Sequence, residues 1–285
     1  MMIEKNKLYL VTGASGFLGE HLCEKILEMG GRVRAFSRNE GKLIGLKQNY
    51  PSIEIYTGDV ADQFEVNQAM NGVDAVFHLA ASKHVGLAET FTRECTKTNV
   101  IGSLHILEQS LARKLDFVIG ISTDKAAQVS GVYGATKLLM ERLFAQYETL
   151  NPDTNYRIVR YGNVLYSTGS VLCKWKDLLQ EGKQVIITDA NATRFFWTRN
   201  QAVELIFSCL EEANSCAPWV PEMKSMRVGD LLEAMARKYL PSDATLNIKH
   251  IGLQPGENLH EKILEEGPAS DEVEKFTIDE IMELI

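Results

Sequence analysis

The chain has 285 residues and a net charge of −8, with 45% hydrophobic and 24% charged residues. That is the balance of an ordinary globular protein long enough for a full core. It speaks against nucleic acid as a partner, because phosphate backbones are met with clustered Lys and Arg.

No apolar stretch approaches the roughly 20 residues of a membrane span, and no apolar signal core follows the first residues. The five cysteines, Cys23, Cys95, Cys173, Cys209 and Cys216, form no CxxC pair. Neither a disulfide framework nor a metal site is therefore expected, and a reducing, cytoplasmic setting is.

Leu8-Tyr9-Leu10-Val11 reads as a buried strand. It runs into Thr12-Gly13-Ala14-Ser15-Gly16-Phe17-Leu18-Gly19, after which Leu22, Ile26, Leu27 and Met29 recur at helical spacing. Glycines between strand and helix let a pyrophosphate approach the free N–H groups of the helix N-terminus. Gly13, Ser15, Gly16, Phe17, Leu18 and Gly19 are therefore expected around a dinucleotide, with a G-x-x-G-x-x-G spacing in place of G-x-G-x-x-G.

Gly30-Gly31 ends the helix, and Arg32–Phe36 is the second strand. An NAD-binding unit usually follows with an acidic residue that accepts from the ribose hydroxyls. Here Ser37 and Arg38 stand in that place. With Lys42 they suit a 2′-phosphate, so NADP is the expected cofactor.

Ile53–Tyr56 is the third strand and closes with Gly58-Asp59-Val60, placing Asp59 and Val60 at the cofactor. Gln63–Met70 is a helix stopped by Asn71-Gly72. Ala75-Val76-Phe77 is the fourth strand, with His78 in a structural part at its end. Leu79, Ala80 and Ala81 let a cofactor lie close, and Lys83 at the mouth is placed to meet a phosphate or a sugar. A helix from about Thr90 to Lys114 carries Asn99, a further cofactor contact, and leads into the strand Phe117–Ile121.

The next stretch, Ser122–Lys137, reads S-T-D-K-A-A-Q-V-S-G-V-Y-G-A-T-K. Ser122, Thr123, Asp124 and Lys125 fall at the carboxyl end of a strand, where open parallel sheets bind ligands. Tyr133 and Lys137, four apart, share one face of the following helix. Taken alone, such a pair is more often half-buried packing than catalysis, Asp124 also fits a helix cap, and Lys125 a solvated charge.

The helix runs to Leu150 and stops at Asn151-Pro152. Tyr156–Arg160 is the sixth strand, ending in Tyr161-Gly162-Asn163-Val164, with Tyr161 beside the cofactor. This alternation predicts an α/β fold, a doubly wound parallel sheet in the order 3-2-1-4-5-6.

After about residue 165 the rhythm changes: a turn at Ser167–Gly169, a helix Val171–Gln180, strands Val185–Thr188 and Thr193–Trp197, and an amphipathic helix Gln201–Glu211. A helix Val228–Leu240, a strand Leu246–Ile251 and a turn Gln254-Pro255-Gly256-Glu257 follow. Residues 1–165 are expected to hold the cofactor, joined by a returning strand and helix from 185–212. Residues 166–285 are expected mainly to hold the substrate.

Thr12–Gly19, His78–Ala81, Ser122–Lys137 and Tyr161–Val164 together resemble an extended short-chain dehydrogenase/reductase. A narrower likeness is carried by Ser122-Thr123-Asp124-Lys125-Ala126 before Tyr133-Gly134-Ala135-Thr136-Lys137, then Arg160–Val164, and Ile187-Thr188-Asp189 with Thr193-Arg194-Phe195. Pro255-Gly256-Glu257 with Leu259-His260-Glu261 completes it. Over nearly its whole length the chain resembles the UDP-N-acetylglucosamine inverting 4,6-dehydratases, which make the first intermediate of pseudaminic acid. Departures from that pattern are Gln128-Val129-Ser130-Gly131, where the family usually has Asn-Pro and a further Asn, Gln254 in place of Arg, and Ser82 in place of Leu.

The resemblance implies a UDP-amino-sugar substrate, a recycled NADP, no nucleic-acid or membrane partner, and a homo-oligomer. It implies Tyr133, with Lys137 favouring its phenolate, as the base at the sugar 4-hydroxyl. Thr123 would bond the C4 oxygen, Lys125 would be the base at C5, and Asp124 the acid for the leaving 6-hydroxyl. Asn163, Arg194 and Glu257, with Lys83, would contact the substrate, Arg194 at the diphosphate. Two other readings stay open: C4 oxidation with C5 epimerisation of a related 5,6-unsaturated or 6-deoxy UDP-amino sugar, and a non-catalytic NADP sensor.

Overall fold

The structure, a computed structural model, describes residues 3–254 and 256–285. The first half alternates β1 (Leu8–Thr12), α1 (Phe17–Glu28), β2 (Arg32–Ser37), α2 (Glu40–Asn49), β3 (Glu54–Thr57), α3 (Gln63–Ala69) and β4 (Ala75–His78). Then come α4 (Val85–Thr90), α5 (Thr92–Thr96), a π-turn Lys97–Ile101, α6 (Gly102–Leu111), β5 (Phe117–Thr123), a 3₁₀ turn Asp124–Ala126, α7 (Val132–Leu150) and β6 (Asn155–Tyr161). The six strands pair in parallel in the order β3-β2-β1-β4-β5-β6, as the alternation predicts.

A sheet covered on both faces explains the unbroken apolar runs of its central strands. Successive residues of β1 face opposite ways: Tyr9 and Val11 join one core with Leu22, Ile26 and Ile206, while Leu8 and Leu10 join the other with Ile106, Met140 and Phe144. Each such side chain contributes about 1.5–3 kcal/mol when fully buried.

The expected helix over about 90–114 runs without interruption over 92–111 as α5, the π-turn and α6, with α4 ahead of it. The π-turn inserts one residue per turn and so rotates Asn99 inward. The helix α2 lies where the sequence reading had only Ser37, Arg38 and Lys42; Asn39 caps it, its side chain accepting from the Lys42 N–H. The start of α7 has Gly131 at its cap position and so no side-chain acceptor of its own. Glu89 of α4 supplies one, accepting from the Val132 N–H at 2.6 Å.

The remainder holds β7 (Asn163–Val164), α8 (Val171–Gln180), β8 (Val185–Ile187), β9 (Thr193–Trp197) and α9 (Arg199–Glu212). It ends with β10 (Ser225–Arg227), α10 (Val228–Tyr239), β11 (Ile248–His250) and α11 (Ile278–Leu284). Leu172, Trp175, Leu179, Leu231, Met235 and Ile281 build a third core here.

The helix α9 returns to the main sheet, burying Ala202, Val203 and Ile206 against it. The expected returning strand does not. β8 pairs with β11, and β9 with β7 and β10. The edge beyond β6 is met instead by Trp219, whose N–H donates to the Ile158 carbonyl at 2.8 Å.

Candidate active site

The carboxyl ends of β1, β2, β4, β5 and β6 surround one open cavity of about 690 Å³. The loop after β1 forms its floor. Gly13 has φ +69, and a Cβ there would lie 2.9 Å from the Ala80 backbone nitrogen; a Cβ on Gly19 would lie 2.3 Å from the Gly13 carbonyl oxygen. Only glycine allows this close loop-to-loop contact, which leaves the start of α1 open to the cavity.

Thr12 ties the neighbouring loop down, its Oγ1 accepting from the N–H groups of Leu79 and Ala80 at 3.1 Å each. Its hydroxyl proton is then free to go to His78 Nδ1 at 2.8 Å. Ser103 Oγ donates to the Asn99 carbonyl, so His78 Nε2 donates to Ser103 at 2.9 Å. His78 is thus a neutral, fully bonded core histidine, held by burial at a pKa of about 3.

Gly13, Ser15, Gly16, Phe17, Leu18 and Gly19 line the cavity, as do Ser37, Arg38, Lys42, Asp59, Val60, Leu79, Ala80, Ala81, Lys83, Ser122 and Tyr161. Asn99 does not. It is buried behind the wall, where Oδ1 accepts from Ser82 N–H at 2.7 Å and Nδ2 donates to the Ser82 carbonyl and Thr136 Oγ1, both at 3.0 Å. At the β2 end, Ser15 Oγ and Ser37 Oγ are 2.6 Å apart, and Arg38 is exposed.

Thr123, Asp124, Lys125, Tyr133 and Lys137 meet at the other end of the cavity. Asp124 Oδ1 accepts from Thr123 Oγ1 at 2.8 Å, from Lys125 N–H at 2.9 Å and from Lys125 Nζ at 3.2 Å. Its other oxygen, Oδ2, is buried and has no partner among the described residues, and neither has Ser122 Oγ. Buried polar atoms without a partner are costly, and two of them in one cavity wall fit a polar ligand.

Burial pushes the Tyr133 phenol up to about 12, against the pull of Lys125 and a hydrogen bond with Thr123. Lys125 is thus a cation that bears on this phenol. Lys137 Nζ turns instead to Met140 Sδ at 3.2 Å, and burial lowers it to about 8.

Two expected substrate contacts sit elsewhere. Asn163 and Lys83 line the cavity, but Arg194 and Glu257 do not. Arg194 is buried on β9, where Nη1 donates to the Thr193 and Leu259 carbonyls at 2.8 and 2.9 Å. The Glu257 carboxylate accepts from the Gln254 N–H at 3.0 Å, within the expected turn whose Pro255 lies outside the described residues. Both side chains are engaged by backbone and so shape the chain around residues 254–261.

The residue that motif reading named without a role is Glu261. It is buried, with Oε1 3.5 Å from Lys125 Nζ and 3.8 Å from Arg194 Nε.

The sequence profile described as "Polysaccharide biosynthesis protein" matches residues 9–284. The chain belongs to that family. Among similar proteins, an uncharacterized membrane protein of Methanocaldococcus jannaschii is 37% identical over 269 residues, covering 91% of this chain and 81% of the relative. A UDP-N-acetylglucosamine 4,6-dehydratase (inverting) of Campylobacter jejuni is 35% identical over 262 residues, covering 90% and 76%. The fold is also seen in the X-ray structure of Pen from Bacillus thuringiensis. Its TM-score is 0.93 at 29% identity, over 100% of this chain and 98% of that one. No described helix of the present family member is long and apolar enough to cross a membrane.

Proposed function

We propose that this protein is a nucleotide-sugar 4,6-dehydratase that acts on UDP-N-acetylglucosamine, inverts C5 and uses NADP. The observation that carries the reading is the Thr123-Asp124-Lys125 turn, with Thr123 and Asp124 buried, beside Tyr133 in the cavity of the glycine loop. The likeness to the inverting dehydratase of Campylobacter jejuni supports the substrate. Five free cysteines, four of them buried, support a reducing, cytoplasmic setting.

The glycine floor, the unpartnered Ser122 Oγ and the cavity's length fit a dinucleotide, which would lie from Arg38 to Lys137. Bound there, the nicotinamide supplies a reversible hydride acceptor. Ser37 and Arg38 where an NAD site usually has an acidic residue, with Lys42 at the rim, favour the 2′-phosphate form.

The protein's own groups move the protons. Tyr133 takes the proton of the sugar 4-hydroxyl, and Thr123 bonds the same oxygen. A ketone at C4 acidifies C5, where Lys125 in its neutral amine form accepts the proton. Asp124, through the open Oδ2, delivers a proton to the departing 6-hydroxyl. Proton return to the opposite face of C5 inverts that centre. Lys83 and Asn163 contact the substrate, and residues 166–285 mainly enclose it, while residues 1–165 with α9 hold the cofactor.

Incubation with UDP-N-acetylglucosamine in deuterated water, followed by proton NMR, tests the reading. A 6-deoxy-4-keto product with deuterium at an inverted C5 is expected. Unchanged substrate after long incubation would overturn it, and a product inverted at C5 with the 6-hydroxyl intact would point to an epimerase.

A further inference from the structure

Lys125 is held by more than its neighbour Asp124. Its ammonium lies 3.2 Å from Asp124 Oδ1 and 3.5 Å from Glu261 Oε1. The two carboxylates arrive from opposite directions, one from the turn after β5 and one from the segment after residue 256. Glu261 is itself fixed. Its N–H donates to Ser270 Oγ at 2.9 Å, its Oε2 accepts from Asn258 Nδ2 at 3.3 Å, and Arg194 stands 3.8 Å from Oε1. Among the described residues Oε1 has no hydrogen-bond partner, and it is shut off from water, so the nearby charges of Lys125 and Arg194 compensate it.

Isolated in a dry site, neither a carboxylate nor an ammonium is stable; together they are. Burial alone would lower Lys125, yet Asp124 and Glu261 outweigh it and raise the ammonium above its ordinary range, with Arg194 opposing them. Glu261 is raised by burial and by Asp124, against Lys125 and Arg194. The groups that face Lys125 are thus Asp124, Glu261, Arg194 and the Tyr133 phenol. Removing one negative charge from this set shifts the balance on the ammonium directly.

We propose that Glu261 is a positioning residue for proton transfer at C5: it pins Lys125 against Asp124 and decides at which pH Lys125 becomes a base. Glu261 does not line the cavity, so it acts only through Lys125. The catalytic part of this inference rests on the dehydratase reading; the part concerning Lys125 does not.

Two measurements test it on the full-length protein. Lysine labelled with ¹³C at Cε, assigned by comparison with Lys125→Arg, reports the titration midpoint of Lys125 by NMR. Glu261→Gln is expected to lower that midpoint by about one pH unit, the size of effect one close charge exerts, and Glu261→Asp by less. Equal midpoints in wild type and Glu261→Gln overturn the inference.

The second measurement is deuterium incorporation at C5 of UDP-N-acetylglucosamine against pH. In Glu261→Gln the rising limb should move to lower pH by the same amount and reach a lower plateau, with the KM for the sugar little changed. Glu261→Asp should return the limb toward wild type. A uniform loss of rate with an unmoved limb would mean a purely structural role. If wild type leaves this sugar unchanged while the midpoint still moves, the substrate assignment falls and the hold of Glu261 on Lys125 stands.

Discussion

The Arg160 guanidinium meets the Glu141 carboxylate at two points, Nε to Oε1 at 2.8 Å and Nη2 to Oε2 at 2.6 Å, with both side chains buried. Arg160 Nη1 also donates to the Ile263 carbonyl at 3.0 Å. One side chain thus ties β6, the helix that carries Tyr133 and Lys137, and the segment that carries Glu261. Glu141→Gln leaves the guanidinium to the exposed Glu265 carboxylate, 3.4 Å from Nη2, and should cost about 3 kcal/mol, the lower end of the penalty for breaking a buried pair. Urea denaturation measures it. Glu141→Leu combined with Arg160→Met should lose less than Glu141→Gln alone, because no charge is then stranded.

His78 makes the protein acid-sensitive. It stays neutral in the fold to about pH 3, while its ordinary value is 6.5. Between those values only the unfolded chain binds the proton, so stability falls as pH drops through that window. From pH 6.5 to 4.5 the loss from this group should be about 2–3 kcal/mol, at about 1.4 kcal/mol per unit. Denaturation curves at the two pH values should lie closer together in His78→Gln than in wild type. An unchanged gap would mean that His78 is not the group responsible.

Asn99 should matter through the loop it holds. Asn99→Ala strands the Ser82 N–H and carbonyl, each unmade buried bond costing about 1–3 kcal/mol. The expected result is a lower melting temperature together with severalfold weaker cofactor binding, since Ala80, Ala81 and Ser82 form the cavity wall. Loss of stability with cofactor affinity unchanged would show that the loop holds its place without Asn99.

Arg38 should discriminate between the two dinucleotides. It is 67% exposed and stands 4.0 Å from Asp59 Oδ2, so its charge is partly screened and its effect modest. Arg38→Ala should weaken NADP about tenfold, the lower end for a charge-assisted contact, and leave NAD unaffected. Isothermal titration with both settles it; tighter binding of NAD by wild type would overturn the NADP assignment.

The local signals were strong where the physics is local. Apolar runs of strand length, glycines after β1 and the β–α alternation were enough for the sheet, its strand order and the glycine floor of the cavity. The Ser122–Lys137 stretch identified a candidate site because a strand end and a helix face are properties of short segments. Asn99 and Arg194 do not line the cavity, and nothing local says whether a polar side chain faces a cavity or the wall behind it. The π-turn that rotates Asn99 inward and the backbone carbonyls that claim Arg194 belong to the packed chain.

Lys125 shows the division most clearly. Its place at the end of β5 is written in sixteen consecutive residues. Its charge is held by its neighbour Asp124 together with Glu261, which lies 136 positions away and reaches it because β9 and the segment after residue 256 fold back toward it. Proton affinities depend on distances of a few ångströms and on exclusion of water, and only the tertiary fold decides those.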